Sequence, residues 1–186
     1  MPLMKGSAFT ARFTYLRNHF PERWNELVHR FDTDTRELAE GPCLKSSWYP
    51  FSCFIDLNLK ADRLFGKGDL ALCRELGRDA AKVNLPTLYR IFYRVGSPEY
   101  VLDKVASVWR QHHDSGEVTV VFPGPNRASY QVHDFGAPHR TLCRSLEGFL
   151  HGSLEVMGMR DIGVSEVHCR LDGAAVCEYH GTWTPR

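Results

Sequence analysis

The chain of 186 residues is long enough for one domain with a substantial core and too short for two comfortable ones. Its 43% hydrophobic and 24% charged residues are typical of a globular protein, which excludes the disordered, collagen-like and membrane classes. A net charge of +1 gives no electrostatic basis for nucleic acid or membrane as the partner. No signal peptide precedes the first elements, so we expect a cytoplasmic protein with reduced thiols.

Residues 1–115 are predicted to be mainly helical. The segment that opens at Ser46 predicts a strong helix with Pro50 near its start, because apolar residues then recur at helical spacing. Pro86 predicts a break. Ser97-Pro98-Glu99 predicts the start of a further helix, since it supplies an N-cap, a proline at the first position and an acid near the helix dipole.

Residues 116–186 change from helical to extended periodicity. The predicted elements are a hairpin of residues 118–122 and 128–132, a long helix of roughly residues 139–158, and a second hairpin of residues 162–171 and 175–183. We therefore predict an α+β fold in a single domain, 1–186. Its N-terminal helical subdomain packs on a C-terminal β-β-α-β-β unit with an antiparallel sheet.

Four residues in the C-terminal unit have the side chains of a metal site. Cys143 lies on the long helix, and Glu166, Cys169 and Cys177 follow on the second hairpin. Zinc favours thiolates, imidazoles and carboxylates in a tetrahedral shell, and a closed shell of four protein ligands is usually structural. If the hairpin is symmetric about Gly173, Cys169 and Cys177 face each other across the two strands.

Glu166 is the least straightforward of these ligands. Its odd separation from Cys169 places the two side chains on opposite faces of a regular strand, so a bulge near Val167 or His168 is needed to turn both inward. Either His168 or His180 is an alternative fourth ligand. The cysteines are alternatively buried thiols without a ligand, or a cross-strand disulfide, which a cytoplasmic setting disfavours.

Several short motifs resemble those of a known family. The motifs are Ser46-Ser-Trp-Tyr-Pro-Phe51, Leu76-Gly-Arg78, Tyr93-Arg-Val-Gly-Ser-Pro-Glu99, Trp109-Arg-Gln111 and the ending Glu166 to Trp183. They resemble stand-alone bacterial proteins, many of them myxobacterial, of the 4-vinyl reductase-type domain superfamily. That superfamily includes the sensor domains of aromatic-responsive transcription activators.

The resemblance implies a fold, a metal and a role. The related sensors hold a structural zinc with a helix cysteine, a Glu-x-x-Cys and a cysteine eight residues further on, an order that Cys143, Glu166, Cys169 and Cys177 reproduce. It also implies a small molecule bound between the helices and the sheet, a homodimer and a possible protein effector. The fused ATPase and DNA-binding modules of the activators are not in this chain.

An aromatic-rich middle third is the candidate ligand pocket. Such residues suit a small apolar or aromatic ligand, although each is alternatively a core residue. The candidate pocket residues are Trp48, Tyr49, Phe54, Tyr89, Phe92, Tyr93 and Trp109.

Motifs for catalysis are absent from the sequence. It has no Gly-rich phosphate loop, Gly-x-Ser-x-Gly elbow or His-Glu-x-x-His helix, which favours a non-enzymatic sensor. The alternatives are a scaffold without a ligand and an enzyme acting on a tetrapyrrole-like substrate. Haem is a minor alternative, because the Tyr-x-Ser-x-Arg pattern of a haem-binding gas-sensor family is absent. His112-His113-Asp114 is interpreted as a solvated helix end.

Overall fold

The protein consists of a helical part followed by an antiparallel sheet with one long helix. The computed structural model describes residues 1–89 and 108–185, without the side chains of residues 86–89. The helices in these ranges are α1 (Gly6–His19), α2 (Trp24–Arg30), α3 (Thr33–Glu40), α4 (Phe51–Phe65), α5 (Ala71–Tyr89) and α6 (Arg140–Val156), with a further helical stretch at 108–112. None of the helices in the described ranges is long and apolar enough to cross a membrane.

The strands form two separate sheets. They are β1 (Leu3–Lys5), β2 (Trp48–Pro50), β3 (Glu117–Gly124), β4 (Arg127–His133), β5 (Arg160–His168) and β6 (Cys177–Thr184). β1 and β2 make a short antiparallel ribbon, and the other four make an antiparallel sheet in the order β3-β4-β6-β5. The predicted α+β class and β-β-α-β-β order are confirmed.

The long helix α6 lies between α5 on one side and strands β5 and β6 on the other. Its approach to α5 is unusually close: a Cβ on Gly77 would lie 1.9 Å from the carbonyl oxygen of Ser145, and one on Gly152 would lie 2.4 Å from that of Arg78. Glycine is therefore required at these positions, because any side chain would separate the two helices. This contact fixes where α6 presents its residues.

Aromatic contacts join the helical part to the sheet part. Phe135, which follows β4, packs edge-on against Phe51 with ring centroids 5.1 Å apart and against Trp109 at 5.6 Å. All three side chains are buried. The core therefore continues from the N-terminal helices to the inner face of the sheet.

Three predicted features differ from the structure or fall outside it. Residues 48–50 are strand β2 rather than the start of a helix, because Met4 pairs with Tyr49 and a three-residue ribbon is too short to show alternation. Helix α5 runs through Pro86 to Tyr89, since a proline in the last turn removes only one helical hydrogen bond. The helix predicted from Ser97-Pro98-Glu99 lies outside the described residues.

Candidate functional site

Four predicted ligand residues meet where α6 crosses the end of the β5–β6 hairpin. One ligand atom from each of Cys143, Glu166, Cys169 and Cys177 lies within 4.8 Å of the others. The Sγ atom of Cys169 is 3.8 Å from that of Cys143 and 4.0 Å from that of Cys177. All three cysteines are buried and reduced. We call these four residues the thiol cluster.

A β-bulge brings Glu166 into this cluster. Glu166 pairs with Tyr179 and His168 pairs with Glu178, so Val167 is the extra residue on β5. The predicted bulge near Val167 or His168 is therefore confirmed. It allows Glu166 and Cys169 to face the same cluster despite their odd separation in sequence. Tyr179 Oη donates a hydrogen bond of 3.3 Å to Glu166. The alternative ligands His168 and His180 both contact Glu178 instead, at 3.0 and 3.1 Å.

The cysteines do not lie opposite each other in a symmetric hairpin. β5 ends at His168, Cys169 follows it, and Cys177 begins β6 opposite Val132 of β4. A 3-10 turn at Arg170–Asp172 and the left-handed Gly173, with φ of 91°, close the intervening loop. The loop is wider than the predicted tight turn, yet it returns Cys177 to within contact of Cys169.

The three cysteines of the thiol cluster differ in pKa. The hydrogen bond from the Cys143 thiol lowers the pKa of Cys177, and the same bond, with burial, raises the pKa of Cys143. Burial also raises the pKa of Cys169. The backbone N–H of Arg170 donates to Cys177 Sγ at 3.4 Å. Cys177 is therefore the cysteine of the cluster best placed to carry a thiolate.

A second feature is a cavity of about 70 Å³ in the core. Its wall combines residues of α1, α4, α5, α6, β4 and the stretch from 108 to 113, and most of them are apolar. The described residues that line it are Met4, Ala8, Arg12, Phe54, Ala80, Asn84, Val108, Trp109, His112, His113, Tyr130, Leu142, Ser145, Leu146 and Phe149.

Arg12 is the buried cation of this cavity. It is 3% exposed, and three of its N–H groups donate to Asn58 Oδ1 at 3.4 Å, to the Ala8 carbonyl at 2.8 Å and to Ser145 Oγ. None of these partners is charged. Burial lowers the pKa of Arg12 to about 10, so the guanidinium still carries its charge at neutral pH.

His113 brings a hydrogen-bond acceptor to the same cavity. Its ring stacks on Trp109 with centroids 3.7 Å apart, and its Nδ1–H donates to the Trp109 carbonyl at 3.3 Å. Because Nδ1 carries the proton, Nε2 is an acceptor, and it is buried without a hydrogen-bond partner among the described residues. Burial lowers the pKa of His113 to about 3. The prediction of a solvated helix end is wrong for this residue.

The predicted pocket residues are distributed unevenly. Phe54 and Trp109 line the cavity. Trp48 lies in a surface groove. Tyr49 packs edge-on against Phe9, and its hydroxyl oxygen accepts a hydrogen bond of 2.9 Å from the backbone N–H of Leu44. The structure does not place the side chains of the other three predicted pocket residues. Tyr89 is the last described residue of α5 and has no described side chain, and Phe92 and Tyr93 lie outside the described residues.

Arg12 and His113 are the site residues that sequence reasoning missed. Arg12 had a detectable signal, because it lies three residues after Phe9 and four before Leu16 on the buried face of α1. A lone arginine on an apolar stripe predicts a buried charge with a specific task. His113 had no such signal, since only the stacking of its ring on Trp109 places it inside.

Comparison with solved structures identifies the fold as that of H-NOX domains. An H-NOX protein from S. oneidensis in the Fe(II)NO ligation state matches with TM-score 0.74 and 16% identity, over 98% of this chain and 100% of that one. An oxygen-binding H-NOX domain related to soluble guanylate cyclases matches with TM-score 0.68 and 15% identity, over 98% and 96%. A third structure, described as probing the function of haem distortion in the H-NOX family, also matches with TM-score 0.68 and 15% identity, over 98% of this chain and 96% of that one. No family model and no curated protein matches the chain.

The resemblance to the 4-vinyl reductase-type superfamily is therefore wrong. The H-NOX match covers 98% of the chain, whereas the resemblance depended on short, dispersed motifs. The most recognisable of these, a helix cysteine followed by Cys-x7-Cys, describes a local helix–hairpin contact. Such a contact does not determine how the rest of the chain is folded.

The prediction of zinc as the cofactor is corrected by the same comparison. The descriptions of the matching structures name Fe(II), haem, NO and oxygen. The convergence of Cys143, Glu166, Cys169 and Cys177 is a property of the fold, produced by the helix crossing and the bulge. Their assignment as metal ligands stays a prediction.

Proposed function

We propose that this protein is a non-enzymatic sensor domain that binds a small molecule in the core cavity. The observation that carries the proposal is a pair of polar groups, the Arg12 guanidinium and His113 Nε2, whose hydrogen-bonding capacity the described residues leave partly unused in a mostly apolar cavity. Apolar walls with a few oriented polar groups are the usual composition of small-molecule sites. The H-NOX fold supports the sensor role, because matching structures are described as NO and oxygen complexes.

Haem, which the fold implies, does not fit the described residues. The cavity measures about 70 Å³, whereas sites for larger organic ligands enclose roughly 300–1,000 Å³. His113 has the free nitrogen that iron requires, but its ring lies flat on Trp109 at 3.7 Å, and a buried arginine occupies the same cavity. We therefore propose a ligand smaller than a porphyrin, and no step of the function passes through haem.

The thiol cluster has a structural role in this proposal. Cys143 belongs to α6, which also supplies Ser145 and Leu142 to the cavity. Glu166 and Cys177 belong to the hairpin beneath that helix. Contacts within the cluster therefore hold the cavity-lining helix at a fixed height above the sheet.

Signal output is proposed to run through α6 to a protein effector or a second copy of the chain. Helix α6 contacts the cavity on one side and the hairpin on the other, so a ligand that displaces it also displaces β5 and β6. Packed elements of this kind shift as units rather than deform continuously. Ligand-dependent changes should therefore be seen at the hairpin as well as at the cavity.

The test uses short-chain organic acids, their amides and the corresponding alcohols as probes. Binding is followed by NMR through the indole N–H of Trp109, which donates to the carbonyls of Ser115 and Gly116 at 3.0 and 3.1 Å. We expect at least one probe to shift this signal saturably. Ala8→Leu, which fills the cavity, should abolish the shift, whereas Ala174→Leu in the loop before β6 should retain it. Absence of any saturable shift, or stoichiometric uptake of added haem, would contradict the proposal.

A further inference from the structure

We propose that the cavity ligand is a short-chain hydroxy acid, whose carboxylate pairs with Arg12 and whose hydroxyl donates to His113 Nε2. This inference rests on the proposed function and specifies its ligand class. It follows from matching the cavity's charge, its hydrogen-bonding groups, its size and the approach to it.

The charge of the cavity calls for an anion. Arg12 is 3% exposed, and its three hydrogen-bond acceptors, on Asn58, Ala8 and Ser145, are all neutral. Among the described carboxylates, Asp79 acts on Arg12 only at longer range, as one of the groups that raise its pKa. A buried charge without a counter-ion is costly, and no described carboxylate pairs with Arg12, so an anion in the cavity gains an interaction that the described residues do not supply.

The Arg12 guanidinium also has N–H groups that no described acceptor uses. It has five N–H groups, and three of them are used by described acceptors. The remaining two lie on Nη1 and Nη2, the pair of nitrogens that bind a carboxylate through two parallel hydrogen bonds. Phe54 stacks under the guanidinium at 4.5 Å from the ring centroid and holds its plane in place.

His113 specifies the second group of the ligand. Its Nε2 is an acceptor, because Nδ1–H donates to the Trp109 carbonyl, and no residue in the described ranges 1–89 and 108–185 donates to it. Leaving a buried acceptor unpaired is unfavourable, so a ligand that donates to it binds more tightly than one that does not. A hydroxyl is the smallest group that meets this requirement without adding a second charge.

The volume limits the length of the ligand. A buried water needs roughly 10–15 Å³ of cavity measured in this way, so about 70 Å³ holds roughly five to seven water-sized groups. A hydroxylated acid of three to five carbons, on the order of that size, fills this space. The apolar wall from Leu142, Leu146 and Phe149 then packs against its methylene groups.

A basic surface groove of about 570 Å³ adjoins the cavity. His112 and Asn84 line both the groove and the cavity. The cations in the groove are Lys5, Lys45 and Arg110, and no acidic residue is among its described lining residues. A cleft with charges of one sign raises the local concentration of the opposite ion, so the groove favours the approach of an anionic ligand.

The experiment compares three probes of similar shape on the wild-type protein: 3-hydroxybutyrate, butyrate and butyramide. Affinities come from the Trp109 indole signal. We expect 3-hydroxybutyrate to bind most tightly and butyramide about 10- to 100-fold more weakly than butyrate, because a hydrogen-bonded charge pair is lost. If butyramide binds as tightly as butyrate, or if the hydroxyl gives no gain, the hydroxy-acid assignment fails.

Two variants assign the effects to residues. Arg12→Met should remove the preference for the acid over the amide, and His113→Phe should remove the gain from the hydroxyl while it retains the stack on Trp109. Arg17→Met is the matched control, because Arg17 lies on the same helix at an exposed position. A preference that persists in Arg12→Met would overturn the role of Arg12.

The outcome also separates this inference from the proposed function. Equal binding of the acid and amide, with loss of both in Ala8→Leu, leaves a ligand-binding cavity and removes the anion. Failure of all three probes and of the alcohols to shift the Trp109 signal contradicts both. If Arg12→Met does not fold, the comparison of probes on the wild-type protein still decides between the outcomes.

Discussion

The carbonyl oxygen of Arg74 on α5 lies 1.8 Å from the point that a Cβ on Gly148 of α6 would occupy. Real Cβ atoms essentially never come within 3.0 Å of a heavy atom in a distant residue, so only glycine allows the two helix backbones to be this close. The neighbouring Glu147 accepts from Arg74 Nε at 3.2 Å, which couples the ion pair to the same crossing. The position of α6, and with it the cavity wall, depends on this contact.

We predict that Gly148→Ala destabilises the protein by about 3 kcal/mol or more, because the contact is with backbone and cannot be relieved by a rotamer change. Gly136→Ala is the control, since a Cβ there meets no atom within 4 Å and Gly136 is not among the residues with positive φ. It should change the free energy of unfolding by less than about 1 kcal/mol. Chemical denaturation measures both, and equal stability of the two variants would contradict the close crossing.

The thiol cluster should behave as one energetic unit. In a double-mutant cycle, Cys143→Ala and Cys177→Ala are expected to be non-additive by about 0.5–2 kcal/mol, because each removes the other's partner. The control pairs Cys177→Ala with Cys53→Ala, a buried cysteine on α4 that is not part of the cluster. This second pair should be additive within about 0.5 kcal/mol. Additivity of both pairs would show that Cys143 and Cys177 do not interact.

His113 should make the protein less stable in mild acid. Burial lowers its pKa to about 3, with smaller contributions from His112 and Arg12, whereas the unfolded chain has a histidine pKa of about 6.5. Between these values the unfolded state binds the additional proton, so stability is complete above about pH 6.5 and falls as the pH decreases toward 3. The slope is expected to be as large as about 1 kcal/mol per pH unit.

His113→Phe removes this titration and should flatten the dependence between about pH 6 and pH 4. His29→Phe, at an exposed position on α2, is the control and should retain the wild-type slope. Denaturation midpoints measured across this range decide the matter. An unchanged slope in His113→Phe would mean that the ring is protonated in the folded protein.

The ion pair between Arg78 of α5 and Glu155 of α6 should contribute to the pH dependence of stability at lower pH than His113 does. Hydrogen bonding from Arg78 to both carboxylate oxygens lowers the pKa of Glu155 to about 2, and Lys82 Nζ lies 3.1 Å from Glu155 Oε2. The stabilisation is therefore complete above about pH 4.5 and is lost as the pH falls toward 2. Because Glu155 is partly exposed, the contribution is on the order of 1–2 kcal/mol.

Glu155→Gln should reduce stability at pH 6 and leave a shallower decline between about pH 4.5 and pH 2. Glu26→Gln is the matched control, since Glu26 pairs with Arg23 and Arg30 on the surface and should have little effect. Thermal unfolding at closely spaced pH values measures the difference. Identical profiles for the two variants would exclude a specific contribution from the Glu155 pair.

Local sequence signals predicted the elements of the C-terminal part well. Extended segments bounded by turn residues predicted both hairpins, and the apolar stripe predicted α6 to within two residues at its end. The odd spacing of Glu166 and Cys169 even predicted the bulge. Strand β1 was missed because it pairs with the distant strand β2, and the continuation of α5 was missed because Pro86 predicts a break.

The sequence by itself determined the α+β class and the order of the sheet-forming elements, because periodicity and turn residues act within a few residues of each other. Only the tertiary structure decided which family of folds these elements form and where the cavity lies. Arg12 and His113 are far apart in the chain and belong to different elements, and they line one cavity because tertiary packing brings these elements together against α6, whose position depends on its glycine contacts with α5. Such backbone contacts leave no periodic pattern in the sequence.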